Sequence, residues 1–190
     1  INAEVIYRQR WLISVGYCLP VTQFLEAQCE AIMIPIYKGL LSKMGFNRHL
    51  PLAVRYGPKK FNCKALVNFY THRFVMHVER FAGTLRCGDR EGLLLRVLMD
   101  KFQMLMGSEF HFFTLDQTVY KYGESCLMDL LWQECERRDT VITVKGAWLE
   151  TTQREHDGFL MDIIVKVITD PLKQQRINDV RLYLRVSRIS

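Results

Sequence analysis

His72 and His77 are the two histidines that lie nearest each other in this chain, and they are five residues apart. A helical metal pair needs a spacing of four, which puts both rings on one face. The five-residue step misses it. His77 reads instead as a core-facing side chain with one hydrogen bond, and His72 as a phosphate contact. His111 lies among Phe110, Phe112 and Phe113, so it reads as an aromatic core corner. His156-Asp157 could be a base with its orienter, but sequence neighbours rarely orient one another, and both read as surface. Cys18, Cys29, Cys63, Cys87, Cys126 and Cys135 form no Cys-x-x-Cys pair, and no paired His follows them at zinc spacing. They read as reduced, buried thiols. Met99, Met104 and Met106 have the spacing of core filling. Gly57-Pro58-Lys59-Lys60 lacks the glycine spacing and the Ser or Thr of a phosphate loop, and no Gly-x-Ser-x-Gly elbow occurs. Asp129, Asp139, Asp157, Asp162 and Asp170 are single and scattered. The chemistry left to the chain is binding.

Charge points to the ligand. From Lys38 to Arg90 there are eleven Lys and Arg against Glu79 and Asp89, a net of +9 where the whole chain nets +6. The remainder nets −3, so positive charge is concentrated. Tyr37, Phe46, Tyr56, Phe61, Phe69, Tyr70, Phe74 and Phe81 are interleaved with it. Such a segment attracts polyanions and releases counterions when phosphates bind. The candidate nucleic-acid-binding residues are Lys38, Lys43, Arg48, Arg55, Tyr56, Lys59, Lys60, Lys64, His72 and Arg73. Lys59, Lys60, Lys64 and Arg55 lead, because they flank a Pro-containing loop and a helix start. Tyr56 is the ring expected to be exposed. Phe69 and Phe74 are expected in the core.

An apolar share of 49% with 12% aromatics supports a sizeable core and argues against disorder. No apolar run approaches the ~20 residues of a membrane span. Arg8 and Arg10 interrupt the first apolar run, so no cleavable signal is expected. The composition fits an intracellular protein, cytoplasmic or nuclear. Ile1 at the start and an apolar pattern cut off at the end suggest a piece of a longer polypeptide.

Apolar periodicity predicts helices over Glu4–Val15, from an N-cap at Thr22 to Met44 with a kink or break at Pro35, and over Cys63–Phe81, Leu93–Met106, Glu124–Arg138 and Gly158–Ile168. Gln28 interrupts the second of these. Asn68, Lys64, Arg73 and Arg80 fall off the apolar side of the third. Leu93–Met106 is apolar over so wide an arc that it is expected to be central. Phe159, Ile163, Ile164 and Val167 are expected inward on the Gly158 helix. Another helix starts at Pro171, capped by Thr169 or Asp170. Thr140-Val141-Ile142-Thr143-Val144 reads as a strand, β-branched throughout. Arg181–Ile189 alternates, with Leu182, Leu184 and Val186 inward and Arg181 outward, and is open between strand and helix. The sum is a mainly α fold, a helical bundle-like domain with one small β element near 140–144 and 181–187. Residues 1–107 form a basic helical region and 108–190 a smaller helical or α+β module, packed as one unit.

The order of several motifs carries a resemblance. Tyr17-Cys18-Leu19-Pro20 precedes a helix ending in Leu40-Leu41-Ser42-Lys43-Met44-Gly45; Asn47-Arg48-His49-Leu50-Pro51 and Arg55-Tyr56-Gly57-Pro58 follow. Further on come Asp157-Gly158-Phe159-Leu160-Met161-Asp162 and Ile177-Asn178-Asp179-Val180-Arg181-Leu182-Tyr183-Leu184-Arg185-Val186. Together they resemble the thumb and post-thumb region of retrotransposon-type reverse transcriptases, most nearly retroelement-like open reading frames of algae and protists. Phe61-Asn62-Cys63 departs from the pattern, which has two glycines there. The resemblance implies a non-catalytic portion that grips an RNA–DNA or DNA duplex by its backbone and partners the polymerase core upstream in the same polypeptide. It implies no cofactor here, since the adjacent aspartates that hold the divalent metals of an RNA-directed DNA polymerase are absent. The rival reading is a helical protein–protein interaction module with a basic face.

Overall fold

The computed structural model describes residues 2–120, 122, 126–149 and 157–189. Its contacts divide the chain into two compact units, Ile1–Gly83 and Thr84–Ser190. The fold is mainly helical with one small antiparallel sheet.

The first unit opens with α1 (Ala3–Ile6), a π-helical turn (Tyr7–Trp11) and α2 (Leu12–Gly16). Asn2 caps the start, its Oδ1 accepting from the Glu4 amide at 2.9 Å. Cys18-Leu19-Pro20 then breaks the helix, and Leu19 is fully buried. Next comes α3 (Glu26–Lys43). Its N-cap is Leu25 and not Thr22, whose hydroxyl donates to the Leu19 carbonyl instead. The polar interruption at Gln28 explains the start: its Oε1 accepts from the Leu25 amide at 2.9 Å. α3 runs through exposed Pro35 without a break. Gly45, at φ 76°, ends it in the left-handed conformation glycine adopts freely. After α4 (Leu52–Tyr56), α5 (Phe69–Cys87) starts six residues later than its periodicity suggested, because 64–66 are bonded to the backbone of 54–57, with Ala65 in the left-handed region at φ 47°. The core of this unit gathers Tyr7, Leu19, Met33, Tyr37, Leu41 and Phe69. Tyr7 and Tyr37 both donate their hydroxyls to the Val67 carbonyl. Burial pushes the Tyr7 phenol up to about 12, and Tyr37 higher still. His77 is the half-buried core histidine its spacing implied, with Nε2 2.8 Å from the Leu19 carbonyl oxygen.

The second unit contains α6 (Arg90–Met106), α7 (Leu127–Arg137), β1 (Gly158–Phe159), α8 (Leu160–Val167), α9 (Pro171–Leu184) and β2 (Arg188–Ile189). β1 and β2 pair antiparallel, Gly158 with Ile189 and Phe159 with Arg188. Trp132, Phe112, Met106, Met128, Leu131 and Met161 are its largest fully buried side chains. Phe102, Phe112 and Trp132 meet edge-on, with centroids 4.8 to 6.4 Å apart. His111 stacks on Phe112 and Phe113 at 4.5 and 5.6 Å, the aromatic corner expected of it.

Four sequence expectations are corrected here. Thr140–Val144 is not a strand; among the described residues the run pairs with no other segment, and β-branching alone does not supply a ladder. The sheet forms instead at 158–159 and 188–189, and 181–184 finish α9. α8 buries Met161 and Val165, while Ile163 and Val167 are exposed. α6 is not central all round: Leu93, Leu94, Val97 and Leu98 are each more than half exposed. Cys29 and Cys135 are buried thiols, but Cys18 and Cys87 are exposed. The expected helix start at Glu124, and His156 of the His156-Asp157 pair, lie outside the described residues.

Candidate nucleic-acid interface

The leading basic candidates sit on the segment between α3 and α5, and backbone bonds tie that segment down. Residues 64–66 are fastened to α4 and Gly57: the Lys64 amide donates to Val54 O at 2.9 Å, Leu66 to Arg55 O at 2.9 Å and Ala65 to Gly57 O at 3.0 Å. Arg8 Nη2 fastens the same stretch to the amino-terminal helix through Ala65 O at 2.9 Å. Gly57 is required at the crossing, since a Cβ there would lie 2.5 Å from Ala53 O and 2.7 Å from Cys63 Sγ. Pro58 leads into a 3-10 turn, Lys59–Phe61, closed by Asn62 in the left-handed region at φ 57°. A loop so closed presents its side chains at little further cost in conformational entropy.

Lys59 is 69% exposed and its Nζ lies 3.6 Å from Glu4 Oε1. That carboxylate also takes Arg8 Nε at 2.9 Å, and these cations, Arg8 first, hold the Glu4 carboxyl below its ordinary range. A pair this exposed is worth ~1 kcal/mol at most, so a phosphate can compete for Lys59. Lys60 is exposed with Nζ 4.9 Å from the Phe61 ring centre, and Lys64 Nζ lies 3.7 Å from that of Phe46. Phe61 itself is 67% exposed. Sequence reasoning chose Tyr56 as the exposed ring. Tyr56 is half-buried, edge-on to Tyr37 with centroids 5.9 Å apart, and the ring offered to solvent is Phe61. The signal for Phe61 was available: it follows two lysines in a stretch without apolar periodicity.

The other candidates are placed differently. Arg48 is exposed in the turn after α3. Lys38 and Lys43 are exposed on α3, but five residues on a helix separate them by roughly 140°, so they do not share a face. Arg55 lies over Tyr37 and Tyr56 at 5.1 and 5.9 Å, and its Nη2 donates to Leu50 O at 3.1 Å. His72 is half-buried, with Nε2 near Gly16. Arg73 is only 5% exposed, its guanidinium 4.9 Å from the Tyr70 ring centre, although its wheel position suggested an outward side chain. Lys59, Lys60, Phe61 and Lys64 are therefore the compact set, with Arg48 on the same connection and Lys43 at the last residue of α3.

The unit boundary sorts the charge as well. Residues 1–83 carry eleven Lys and Arg against four Asp and Glu, a net of +7; residues 84–190 carry fifteen against sixteen, a net of −1. Among the described residues no three His, Cys, Asp or Glu side chains are grouped to hold a metal, and no helix is long and apolar enough to cross a membrane. What the basic loop can do is hold anionic oxygens beside an exposed aromatic face. The chain matches no family profile, no curated protein and no solved structure.

Proposed function

We propose that this chain is a nucleic-acid-contacting, thumb-like portion of a retroelement reverse transcriptase that holds primer–template duplex by its phosphate backbone. The observation that carries the reading is the tied basic loop, with Lys59, Lys60, Lys64 and exposed Phe61 on a unit of net charge +7. Phosphate contacts fix register and orientation without reading sequence, which suits a loop whose charge comes from lysines. Divalent-metal chemistry belongs in this reading to a polymerase core upstream.

Fluorescence anisotropy of the chain with a short RNA–DNA duplex across a salt series tests this. Binding is expected, with a log–log slope of roughly −0.9 per phosphate contact and several contacts in all. Reversing Lys59, Lys60 and Lys64 to Glu is expected to remove most of the affinity. An acidic polypeptide that displaces duplex at equal charge concentration would point instead to a protein-interaction module. A folded chain that binds no duplex at low salt ends the proposal.

A further inference from the structure

α6 is apolar around most of its circumference, yet the fold covers one face only. Leu95, Met99, Phe102 and Met106 are buried, whereas Leu94 and Leu98 are 54% and 55% exposed and Leu93 and Val97 58% and 63%. Single exposed leucines are ordinary, but a contiguous apolar strip on one helix is the mark of a contact surface. At 100° per residue, Glu91, Leu94, Leu98, Lys101 and Leu105 fall in a stripe about 80° wide. Glu91 and Lys101 are both exposed at its two ends. An open apolar groove with a cavity of about 90 Å³, lined by Leu98, Phe102, Leu105 and Leu127, broadens it toward α7.

The order along the stripe is acid, leucine, leucine, base. We propose that it is the seam of a homodimer in which α6 packs antiparallel against α6 of a second copy of this chain. With a two-fold axis at the level of Arg96, whose side chain lies on the opposite face, Leu94 faces Leu98 of the other copy and Glu91 faces its Lys101. The symmetry makes each pair twice, as an isologous interface requires. Parallel packing would set Glu91 against Glu91 and Lys101 against Lys101. The charge pattern thus selects a second copy in one orientation, while the leucines supply the attraction. One helix seam covers less than the ~800 Å² per partner of a standard interface, so the dimer is a weak one, formed in the micromolar range and above.

Sedimentation equilibrium of the whole chain, without nucleic acid and over a wide concentration range, tests this. A monomer–dimer equilibrium is expected. Leu98→Asp is expected to abolish it, and the milder pair Leu94→Gln with Leu98→Gln to weaken it strongly; both positions are exposed, and circular dichroism checks that each variant is folded. Glu91→Lys and Lys101→Glu are each expected to weaken dimerisation about tenfold, because two like-charge pairs appear at once. An equimolar mixture of these two variants restores complementarity and is expected to associate as the wild type does, as is the double variant. A chain that stays monomeric throughout overturns the proposal, including one whose α6 captures a different protein. So does association that ignores Leu98→Asp, or a mixture no tighter than its separate components.

Discussion

Arg181 is the residue that most clearly separates pattern from role. In sequence it alternates with leucines and reads as outward-facing, in a run open between strand and helix. In the fold it is 5% exposed. Its Nη2 donates to Met104 O at 2.8 Å and Leu105 O at 3.1 Å, and its Nε to Asn178 Oδ1 at 2.8 Å. Asn178 Nδ2 donates to Leu105 O as well, and the Tyr122 hydroxyl to Met106 O at 2.6 Å. Together they satisfy the orphan carbonyls at the end of α6 and place a cation at its negative pole. Gly107, at φ 62°, has no room for a Cβ, which would sit 2.7 Å from the guanidinium carbon. Asp162 works similarly, accepting from the Tyr120 hydroxyl at 2.7 Å and the Glu109 amide at 3.2 Å. Asn178, Arg181 and Asp162 all stood out in the sequence within short motifs, while the contacts they make did not. Arg181→Met is expected to cost about 2–3 kcal/mol in urea unfolding, since buried carbonyls lose their donor. His111 gives a pH test. Burial holds its imidazole below the ordinary 6.5, with Asp100 opposing weakly. As pH falls below that value the unfolded chain takes a proton that the folded chain refuses, so stability declines. His111→Phe is expected to lose less stability than the wild type between neutral pH and the low fives, read from urea midpoints. Glu4, depressed from 4.5, loses its contribution only at lower pH.

Helices were legible as elements, because their apolar positions recur at the helical period and Gly45, Gly107 and Pro171 punctuate them. Their inward faces were less so. α8 carries Leu160, Met161, Ile163, Ile164, Val165 and Val167 nearly in series, and such a run cannot declare which side is covered. Thr140–Val144 failed differently: a strand exists only with a neighbour, and a neighbour is a tertiary fact. Pro35 shows how packing overrides local preference. α3 keeps Met33, Tyr37, Leu40 and Leu41 buried on either side of it, and that burial outweighs a missing amide and a steric clash. Pro35→Ala restores a donor on an exposed position. It is expected to stabilise the chain by roughly 1–3 kcal/mol, measured by urea denaturation, with no change in helix content beyond one turn.

At the scale of the molecule, nine of the eleven cations between Lys38 and Arg90 belong to the first unit, and the second unit is close to neutral. The candidate interface was legible to the extent that charge density is a property of sequence. Which cations reach solvent was not, because Arg73 and Arg55 are held against tyrosine rings by contacts that only the fold creates. This distinction yields a test that separates a local interface from a global charge effect. Lys59→Gln with Lys60→Gln removes two positive charges from the tied loop, and Lys166→Gln with Lys173→Gln removes two exposed ones from the second unit. Both variants leave the chain with the same net charge. If duplex binding depends on total charge, they weaken it equally. If phosphates sit on the loop, the first variant alone is expected to flatten the log–log salt dependence by about two contacts, while the second keeps the wild-type slope. Equal slopes for the two variants would remove the loop from the interface.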